Sequence, residues 1–415
     1  MNIAYLCADR GIPVLGDKGA SVHVRELTTA LANLGHNITL LCAKRGAGNS
    51  CPPVDLVELP PIESIPELER EAARRDILLC ENDKVLRREV GKLAHDRGLA
   101  ARTLEVLKDR GVRPAAVYER YALFHRAGRE IANALGVPLV LEVNAPLSVE
   151  EQKYRALRLT DLAHNLETRA WREADRIVAV SDAVRDCACA RGVERERITV
   201  LHNGVDSARF HPEIDGRSVR QHYGLHGRQV IGFIGSLKPW HGVDFLLDAW
   251  PLLKQRFPRA CALVVGDGPM IDSLRERIAR DHLLSEVIVT GRVSHGDVPS
   301  YLAAMDLTVA PYVKQDGFYF SPLKVVESLA SGRPVVAPML GQLPHLIANG
   351  ETGLLYSPGD LESFIEATAL LLGDPGRLRA MSREAGRSAH ANFSWQATAC
   401  RVVELMTSSC RRLDS

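Results

Sequence analysis

The stretch SPLKVVESLASGRPVVAP, which begins at Ser321, contains a serine, a lysine and a glutamate. Together these side chains could bind an anion that lies next to hydroxyl groups. Ser321 is a good helix N-cap and Pro322 suits the first helical position, so the stretch predicts a loop, a short helix and a buried strand. The N–H groups of Leu323 and Lys324 would lack intrahelical partners, and the helix dipole favours negative charge there. Glu327, about one turn further on, can accept hydrogen bonds from hydroxyl groups. The stretch fits an ordinary helix–strand unit, but it also predicts a sugar-nucleotide site, with diphosphate on the amides and ribose on Glu327.

Short apolar runs that indicate strands alternate with helical patterns through the whole chain. The predicted strands are 3–7, 38–42, 116–118, 139–143, 176–180, 198–201, 230–234, 260–265, 287–290, 307–310, 335–337 and 353–356. Such alternation is typical of parallel sheets covered by helices. A turn-rich segment without apolar periodicity, residues 203–217, separates the two halves. We therefore expect an α/β protein with two Rossmann-like domains, residues 1–205 and 206–393. Neither first strand is followed by the dinucleotide fingerprint, which argues against an NAD enzyme.

The stretch around Glu327 resembles the donor-binding signature of retaining glycosyltransferases of family four. That signature carries two glutamates separated by seven residues; Glu327 matches the second glutamate, and Ala330, Gly332 and Pro334 match the residues that follow. Tyr319 stands where the first glutamate would be. The resemblance implies the GT-B architecture, two facing Rossmann-like domains with the active site in the interdomain cleft. It also implies that the first glutamate lies near the donor sugar, so Tyr319 leaves the identity of that sugar open.

A second loop, GSLKPWHG at residues 235–242, follows the first strand of the second half. The resemblance implies an arginine and a lysine that clamp the diphosphate here; Ser236 and His241 occupy those positions, and Lys238 lies between them. A departing diphosphate needs positive charge, so Lys238 and Lys324 are the predicted catalytic cations, and His241 could donate a hydrogen bond. The predicted donor-binding residues are Gly235, Ser236, Lys238, His241, Gly266, Gly268, Arg292, Val293, Tyr319, Ser321, Pro322, Leu323, Lys324 and Glu327.

The first half offers a glycine-rich loop, ADRGIPVLGDKGA at residues 8–20, before an amphipathic helix. Gly16, Lys18, Gly19 and His23 match the first loop and helix of the resembled family, although a mobile surface loop is the alternative interpretation. The three loop residues are predicted on the acceptor side, and His23 is a catalytic candidate.

Polar residues also follow two predicted strands of the first half. Glu119 and Arg120 end one strand, while Glu142 and Asn144 end the next. The resemblance implies that these two strand ends form the wall of the cleft in the first domain, so Glu119 and Arg120, which stand where the family often has a histidine, are catalytic candidates. Glu142 and Asn144 are predicted on the acceptor side, with a structural hydrogen bond at the strand end as the alternative for all four.

Three helical regions complete the expected architecture. Residues 62–110 indicate helices whose charges form a solvated face, and residues 148–173 indicate one long basic amphipathic helix. Such a helix can lie on an anionic membrane, but its interspersed acidic residues favour a surface helix packed on its domain. The final helix, 394–411, is expected to cross back onto the first domain.

Composition narrows the class of protein. The 415 residues carry 52 basic and 51 acidic side chains, a net charge of +1, which argues against a nucleic-acid partner. The nine cysteines are scattered and odd in number, as in proteins of a reducing compartment. The chain opens directly on a strand and has no apolar run of ~18 residues. We therefore expect a cytoplasmic protein; nothing in the sequence indicates its oligomeric state.

The resemblance implies a retaining glycosyltransferase that moves a hexosyl-type sugar from a nucleoside-diphosphate sugar to a hydroxyl group of a glycan, glycolipid or natural product. The resemblance implies no cofactor and no metal, with a UDP-sugar as the expected donor. Two alternatives remain. An epimerase on the same fold would need acid–base residues facing C2 of the sugar, and a non-catalytic sugar-nucleotide binder would explain why Tyr319, Ser236 and His241 replace polar family residues.

Overall fold

The computed structural model describes residues 1–48, 51–61, 64–80, 82–314 and 318–413. These form two compact units. Unit 1 consists of Met1–His202 together with the segment that starts at Trp395, and unit 2 consists of Asn203–Ser394. Each unit contains one sheet in which every neighbouring pair of strands is parallel. The predicted α/β class with two Rossmann-like sheets is therefore confirmed.

The sheet of unit 1 has the strand order β3-β2-β1-β4-β5-β6-β7. Its strands are β1 (Asn2–Cys7), β2 (Asn37–Cys42), β3 (Asp55–Glu58), β4 (Ala116–Arg120), β5 (Leu139–Val143), β6 (Arg176–Ala179) and β7 (Ile198–Val200). Its helices before unit 2 are α1 (Gly19–Asn33), α2 (Ile65–Ala73), α3 (Lys84–Asp109), α4 (Ala127–Leu135), α5 (Leu147–Tyr154), α6 (Thr160–Glu173) and α7 (Asp182–Ala190). The short edge strand β3 was missing from the predicted set.

The predicted single helix over 148–173 is wrong, because the chain breaks between α5 and α6. The carboxylate of Glu89 accepts the backbone N–H groups of Arg158 (3.0 Å) and Leu159 (2.8 Å) at the start of α6. Glu89 and Glu71 are each only 1% exposed, and Glu71 accepts hydrogen bonds from Arg97 at 2.6 Å and from a second arginine. The expectation that charges of 62–110 merely form a solvated face is therefore wrong for these two glutamates.

The sheet of unit 2 has the strand order β10-β9-β8-β11-β12-β13. Its strands are β8 (Gln229–Ile234), β9 (Ala260–Val265), β10 (Val287–Gly291), β11 (Leu307–Val309), β12 (Val335–Pro338) and β13 (Gly353–Tyr356). Its helices are α8 (Arg217–His222), α9 (Val243–Arg256), α10 (Ile271–Arg280), α11 (Val298–Ala303), α12 (Leu323–Ala330), α13 (Leu343–Leu346), α14 (Leu361–Gly373) and α15 (Pro375–Asn392). Two clusters of buried apolar side chains pack on this sheet, one containing Trp250 and Phe364 and the other Phe210 and Val326.

Helix α16 (Trp395–Leu413) follows unit 2 in the chain but belongs to unit 1. It packs on α1 and on strands β5 and β6. Trp395 is 5% exposed, and its ring meets that of His23 edge to face at a centroid distance of 5.0 Å. Among the helices that the structure describes, none combines the length and the apolar character needed to cross a bilayer.

Candidate functional site

The loop that leads into α12 is held by the segment that follows β7. Helix α12 begins at Leu323, with Pro322 as its N-cap. The predicted cap by Ser321 is wrong: its hydroxyl oxygen accepts the N–H of Asn203 at 3.3 Å, and its carbonyl accepts the Asn203 side-chain amide at 2.5 Å. Within the described ranges, the N–H groups of Leu323 and Lys324 have no acceptor. Two helix-terminal donors therefore remain available to an anion.

The ammonium group of Lys324 is buried beside that helix terminus, and in the part of the chain that the structure describes no acidic side chain pairs with it. It lies over the rings of Phe233 and Tyr312, at 4.4 and 5.0 Å from their centroids. Among the described residues Nζ has no hydrogen-bond partner. Burial, with a smaller effect of the Lys238 charge, lowers the pKa of Lys324 to about 7. A buried cation without an acceptor is costly unless a ligand neutralises it, so this position favours an anionic ligand.

Gly235, directly after β8, makes room for this lysine. Its φ is +131°, and a Cβ atom at this position would lie 3.0 Å from Nζ of Lys324. Gly266, after β9, has φ +147°, and a Cβ atom there would collide with the Gly235 carbonyl at 1.8 Å. A Cβ atom on Gly268 would lie 2.5 Å from the carbonyl of Leu237. The predicted glycines thus allow the turns after β8 and β9 to pack against each other.

The turn after β8 presents Ser236, Lys238 and His241. Nδ1 of His241 donates to the backbone carbonyl of Ser236, and Nζ of Lys238 lies 4.9 Å from the centroid of the Trp240 ring. Burial and the charge of Lys324 lower the pKa of His241 to about 2. The neutral ring therefore carries its proton on Nδ1, which leaves Nε2 as an acceptor. The predicted hydrogen bond from His241 to a diphosphate would consequently require a protonated ring.

Glu327 lies in α12 and is 8% exposed. Its Oε1 atom is 2.8 Å from Nε2 of His295, and Nδ1 of His295 is 3.1 Å from an Nη2 atom of Arg209. Sequence reasoning missed both His295 and Arg209. Nearby, Tyr319 is half-buried and its ring packs on that of Phe320, with centroids 4.5 Å apart.

Arg292 and Val293 follow β10. Arg292 is exposed, and its guanidinium lies 3.8 Å from the Asp267 carboxylate. Val293 packs on the core of unit 2. Val293 thus joins the loop after β10 to that core, and Arg292 stands at its surface.

In unit 1, Glu142 at the end of β5 accepts hydrogen bonds from several side chains. His23 Nε2 lies at 2.9 Å, the Tyr118 hydroxyl at 2.6 Å and the Asn144 amide at 2.5 Å, and Arg120 forms an ion pair with it. Burial by itself would raise the pKa of Glu142, but His23, Arg120 and Asn144 together hold it well below its usual range. Four predicted residues, His23, Arg120, Glu142 and Asn144, are thus brought together as one mutually satisfied network.

Glu119 does not join this network, because successive side chains of a strand point to opposite faces of the sheet. It faces α4, where a Cβ atom on Gly128 would lie 2.1 Å from its Oε2 atom. Glu119 is 1% exposed, and burial, together with the charge of Asp96, raises its pKa to about 8. Glu119 and Arg120, both predicted as catalytic candidates, therefore lie on opposite faces of the sheet, and only Arg120 contacts Glu142.

The loop before α1 is anchored, contrary to the alternative of a mobile surface loop. The buried guanidinium of Arg25 donates to the carbonyls of Val14 (2.6 Å) and Gly16 (2.5 Å). Lys18 donates to the carbonyl of Gly11 at 3.0 Å, and Gly19 is the first residue of α1. Arg25 was also missed by sequence reasoning, although it lies less than one turn beyond His23.

No group of three or more histidine, cysteine, aspartate or glutamate side chains that could hold a metal ion occurs in the described part of the chain. The polar groups described above at the start of α12 are instead the amides of Leu323 and Lys324, the ammonium of Lys324 and the carboxylate of Glu327.

Two units that each contain one parallel Rossmann-like sheet are the architecture of GT-B glycosyltransferases, and family profiles of such enzymes match both halves of the chain. The family profile described as "Glycosyltransferase Family 4" matches residues 18–209, and that described as "Glycosyl transferases group 1" matches residues 228–374. The two profiles together cover most of the chain. The protein belongs to glycosyltransferase family 4, with a group 1 domain as its second half.

Several relatives are similar over part or all of the chain. The GDP-mannose-dependent α-(1-6)-phosphatidylinositol monomannoside mannosyltransferase of Mycolicibacterium smegmatis is 31% identical over 244 residues, which cover 58% of this chain and 64% of that relative. Glycogen synthase of Mycobacterium tuberculosis is 25% identical over 398 residues, covering 95% of this chain and 92% of the relative. The crystal structure of HepE from Anabaena with UDP has a TM-score of 0.72 at 20% identity, covering 98% of this chain and 100% of HepE. This last likeness concerns the fold.

Proposed function

We propose that the protein transfers a hexosyl group from a nucleoside-diphosphate sugar, a UDP-sugar in the first instance, to a hydroxyl acceptor, with retention of the anomeric configuration. The observation that carries this proposal is the buried ammonium of Lys324, which lacks an acceptor among the described residues and lies beside two helix-terminal amides in the same state. Such a site can bind a diphosphate and stabilise the charge that it gains on departure. Glu327 then accepts hydrogen bonds from the ribose hydroxyls.

The state of the carboxylates in unit 1 supports retention. An inverting enzyme needs a base that deprotonates the acceptor on the face opposite the leaving group. Glu142 is engaged by several donors, and its pKa lies well below the usual range. Glu119 is buried against α4 and has a pKa of about 8. Neither is suited to act as that base, so the departing diphosphate, held by Lys324, is proposed to take the acceptor proton on the same face.

The reaction is further proposed to need neither a metal ion nor a cofactor. Lys324, Lys238 and the amides of Leu323 and Lys324 would supply the positive field that a metal supplies elsewhere. The acceptor class, a glycan, a glycolipid or a natural product, is left to experiment.

The test is a panel of nucleotide sugars that includes UDP-glucose, UDP-N-acetylglucosamine and GDP-mannose, the last chosen because of the mannosyltransferase relative. We expect slow release of the nucleoside diphosphate from one or more UDP-sugars, undiminished by a chelator. With an acceptor found, proton NMR should show an α-linked product from an α-linked donor. A β-linked product, or activity that a chelator abolishes and magnesium restores, would overturn the proposal; tight binding without turnover would identify a sugar-nucleotide binder instead.

A further inference from the structure

Three residues from separate segments of unit 2 form one hydrogen-bonded chain. Arg209 lies in the segment between β7 and α8, His295 in the loop between β10 and α11, and Glu327 in α12. The imidazole of His295 stands between the other two, 3.1 Å from the guanidinium and 2.8 Å from the carboxylate. A second hydrogen bond, from the same Arg209 nitrogen to the backbone carbonyl of His295 at 2.9 Å, fixes the guanidinium against the loop.

The donors in this chain determine the position of the imidazole proton. A guanidinium can only donate hydrogen bonds, so Nδ1 of His295 must accept from Arg209. The proton of the neutral ring then resides on Nε2, which donates to Oε1 of Glu327. One lone pair of Oε1 is thereby used, and because no other donor to this carboxylate occurs among the described residues, its remaining lone pairs can accept hydrogen bonds from a ligand.

The surroundings make this arrangement rigid. The side chains of His295 and Glu327 are 15% and 10% exposed. The ring of Phe210, itself 1% exposed, packs on the imidazole with a centroid distance of 5.6 Å. A carboxylate in such a place needs a donor to compensate its lost hydration, and His295 provides that donor at a set angle. The carboxylate is thereby preorganised before any ligand arrives.

We propose that Arg209 and His295 are positioning residues that orient the Glu327 carboxylate toward two neighbouring ribose hydroxyls, and so make the protein select ribonucleotides over nucleotides that lack these hydroxyls. This rests on the proposed function, in which Glu327 binds the ribose. A carboxylate held at a fixed angle accepts two hydroxyl hydrogen bonds without first losing rotamer freedom. A carboxylate without these hydrogen bonds would lose rotamer freedom each time a ligand binds.

The test is calorimetric titration with UDP and with 2′,3′-dideoxyuridine diphosphate, which lacks both hydroxyls. We expect Glu327→Gln to weaken UDP binding about tenfold or more, His295→Leu about tenfold and Arg209→Met about threefold. None of the three should change the affinity for the dideoxynucleotide by more than about twofold. His295→Gln, which restores a side-chain N–H donor, should recover most of the lost UDP affinity. His226→Leu, at an exposed histidine of the same unit, is the matched control and should change neither affinity.

The outcomes separate this inference from the proposed function. If His295→Leu weakens the binding of UDP and of the dideoxynucleotide equally, the hydrogen bonds of Arg209, His295 and Glu327 only maintain the fold, and the inference is wrong. If Glu327→Gln weakens UDP binding but both His295 variants bind UDP normally, the inference is wrong while the ribose assignment of Glu327 stands. If Glu327→Gln leaves UDP affinity unchanged, the ribose assignment itself is wrong. If thermal unfolding shows that the His295→Leu variant is not folded, Arg209→Met and His295→Gln are compared with the unmodified protein in the same way.

Discussion

The strand ends of the two units use polar side chains in opposite ways. In unit 1, Glu142 is surrounded by donors and forms an ion pair with Arg120 under the cover of α1 and α16. In unit 2, the ammonium of Lys324 has two aromatic rings beside it and, among the described residues, no acceptor. Both groups are buried, but within the described ranges only the carboxylate of Glu142 has hydrogen-bond partners.

This difference favours unit 2, and not unit 1, as the unit whose buried polar groups interact with a ligand. A buried polar network whose members satisfy one another rigidifies a fold. A buried charge without a partner destabilises the free protein and gains its partner only on binding. We therefore expect a ligand to bind in unit 2, whereas the buried polar groups around Glu142 stabilise the fold of unit 1.

The largest effect on UDP binding is expected from Lys324→Met, which removes the buried ammonium group. Binding of UDP should weaken about a hundredfold or more, since a charge-assisted contact in a water-poor site is lost. The melting temperature should stay unchanged or rise, because the buried ammonium no longer has to be desolvated. Calorimetric titration and thermal unfolding measure the two quantities.

Lys108→Met, at an exposed lysine of α3, serves as the control and should alter neither quantity. A large drop in melting temperature in Lys324→Met with UDP affinity intact would reverse the assignment, since Lys324 would then be a structural cation.

Glu142→Gln should show the opposite pattern in unit 1. The Arg120 guanidinium would be left buried without a counter-charge, so we expect the free energy of unfolding of unit 1 to fall by about 3 kcal/mol. Because the folded pKa of Glu142 is depressed, its contribution is present above the ordinary pKa and is lost only at strongly acidic pH. Urea unfolding followed by hydrogen exchange of β4 and β5 measures this loss. UDP affinity should change less than about twofold; a loss of nucleotide binding with normal stability would contradict the comparison.

The pH dependence of UDP binding sharpens the contrast further. Burial lowers the pKa of Lys324 from 10.5 to about 7, so above pH 7 the free protein loses the proton that the diphosphate requires. The dissociation constant should therefore rise by up to about tenfold per pH unit from pH 7.5 to 9. Over the same pH range the unfolded state of unit 2 binds more protons than its folded state, so the free energy of unfolding of unit 2 should increase with pH. Lys324→Arg, which stays charged, should flatten the binding profile; a flat profile in the unmodified protein would refute the expectation.

The smallest effect is expected from Glu119→Gln. Its pKa is raised from 4.5 to about 8, so the folded unit binds this proton more tightly than the unfolded chain, and stability falls as the pH rises through that window. Glutamine imitates the neutral acid and should remove this decline, so the variant should gain stability over the unmodified protein as the pH rises from about 5 to about 8. Turnover should change less than about twofold, since the side chain faces α4. A tenfold loss of turnover at unchanged stability would return Glu119 to the catalytic candidates.

The apolar strands were the most predictable part of the fold. The predicted bounds of β5, β9 and β13 agree with the structure residue for residue, because each is a short, largely apolar run that only Glu142 in β5 interrupts. Strand β3 was missed since its sequence, DLVE, has charged ends and stands at the sheet edge. The break between α5 and α6 was missed because the carboxylate that caps α6, that of Glu89, lies 70 residues earlier than the amide of Leu159.

The same distinction holds for the candidate site. Lys324 and Glu327 stand on one local pattern of loop and helix, which the sequence displays directly. His295 and Arg209 are separated by 86 residues, and only the folded unit brings them together. The separation of Glu119 from Arg120 could have been predicted from the sequence, because the two-residue period of a strand places their side chains on opposite faces of the sheet.

Helix α16 also constrains the order in which the chain can fold during synthesis. The face of α1 that carries His23 is covered by Trp395, a residue that the ribosome adds only after the whole of unit 2. Until then the apolar surface of α1, β5 and β6 stays open, while unit 2 already has every element of its own sheet. Most of unit 1 therefore leaves the ribosome first, but unit 1 completes its packing only after α16 has been synthesised. We expect unit 1 to be the more prone to aggregation while the chain is being made.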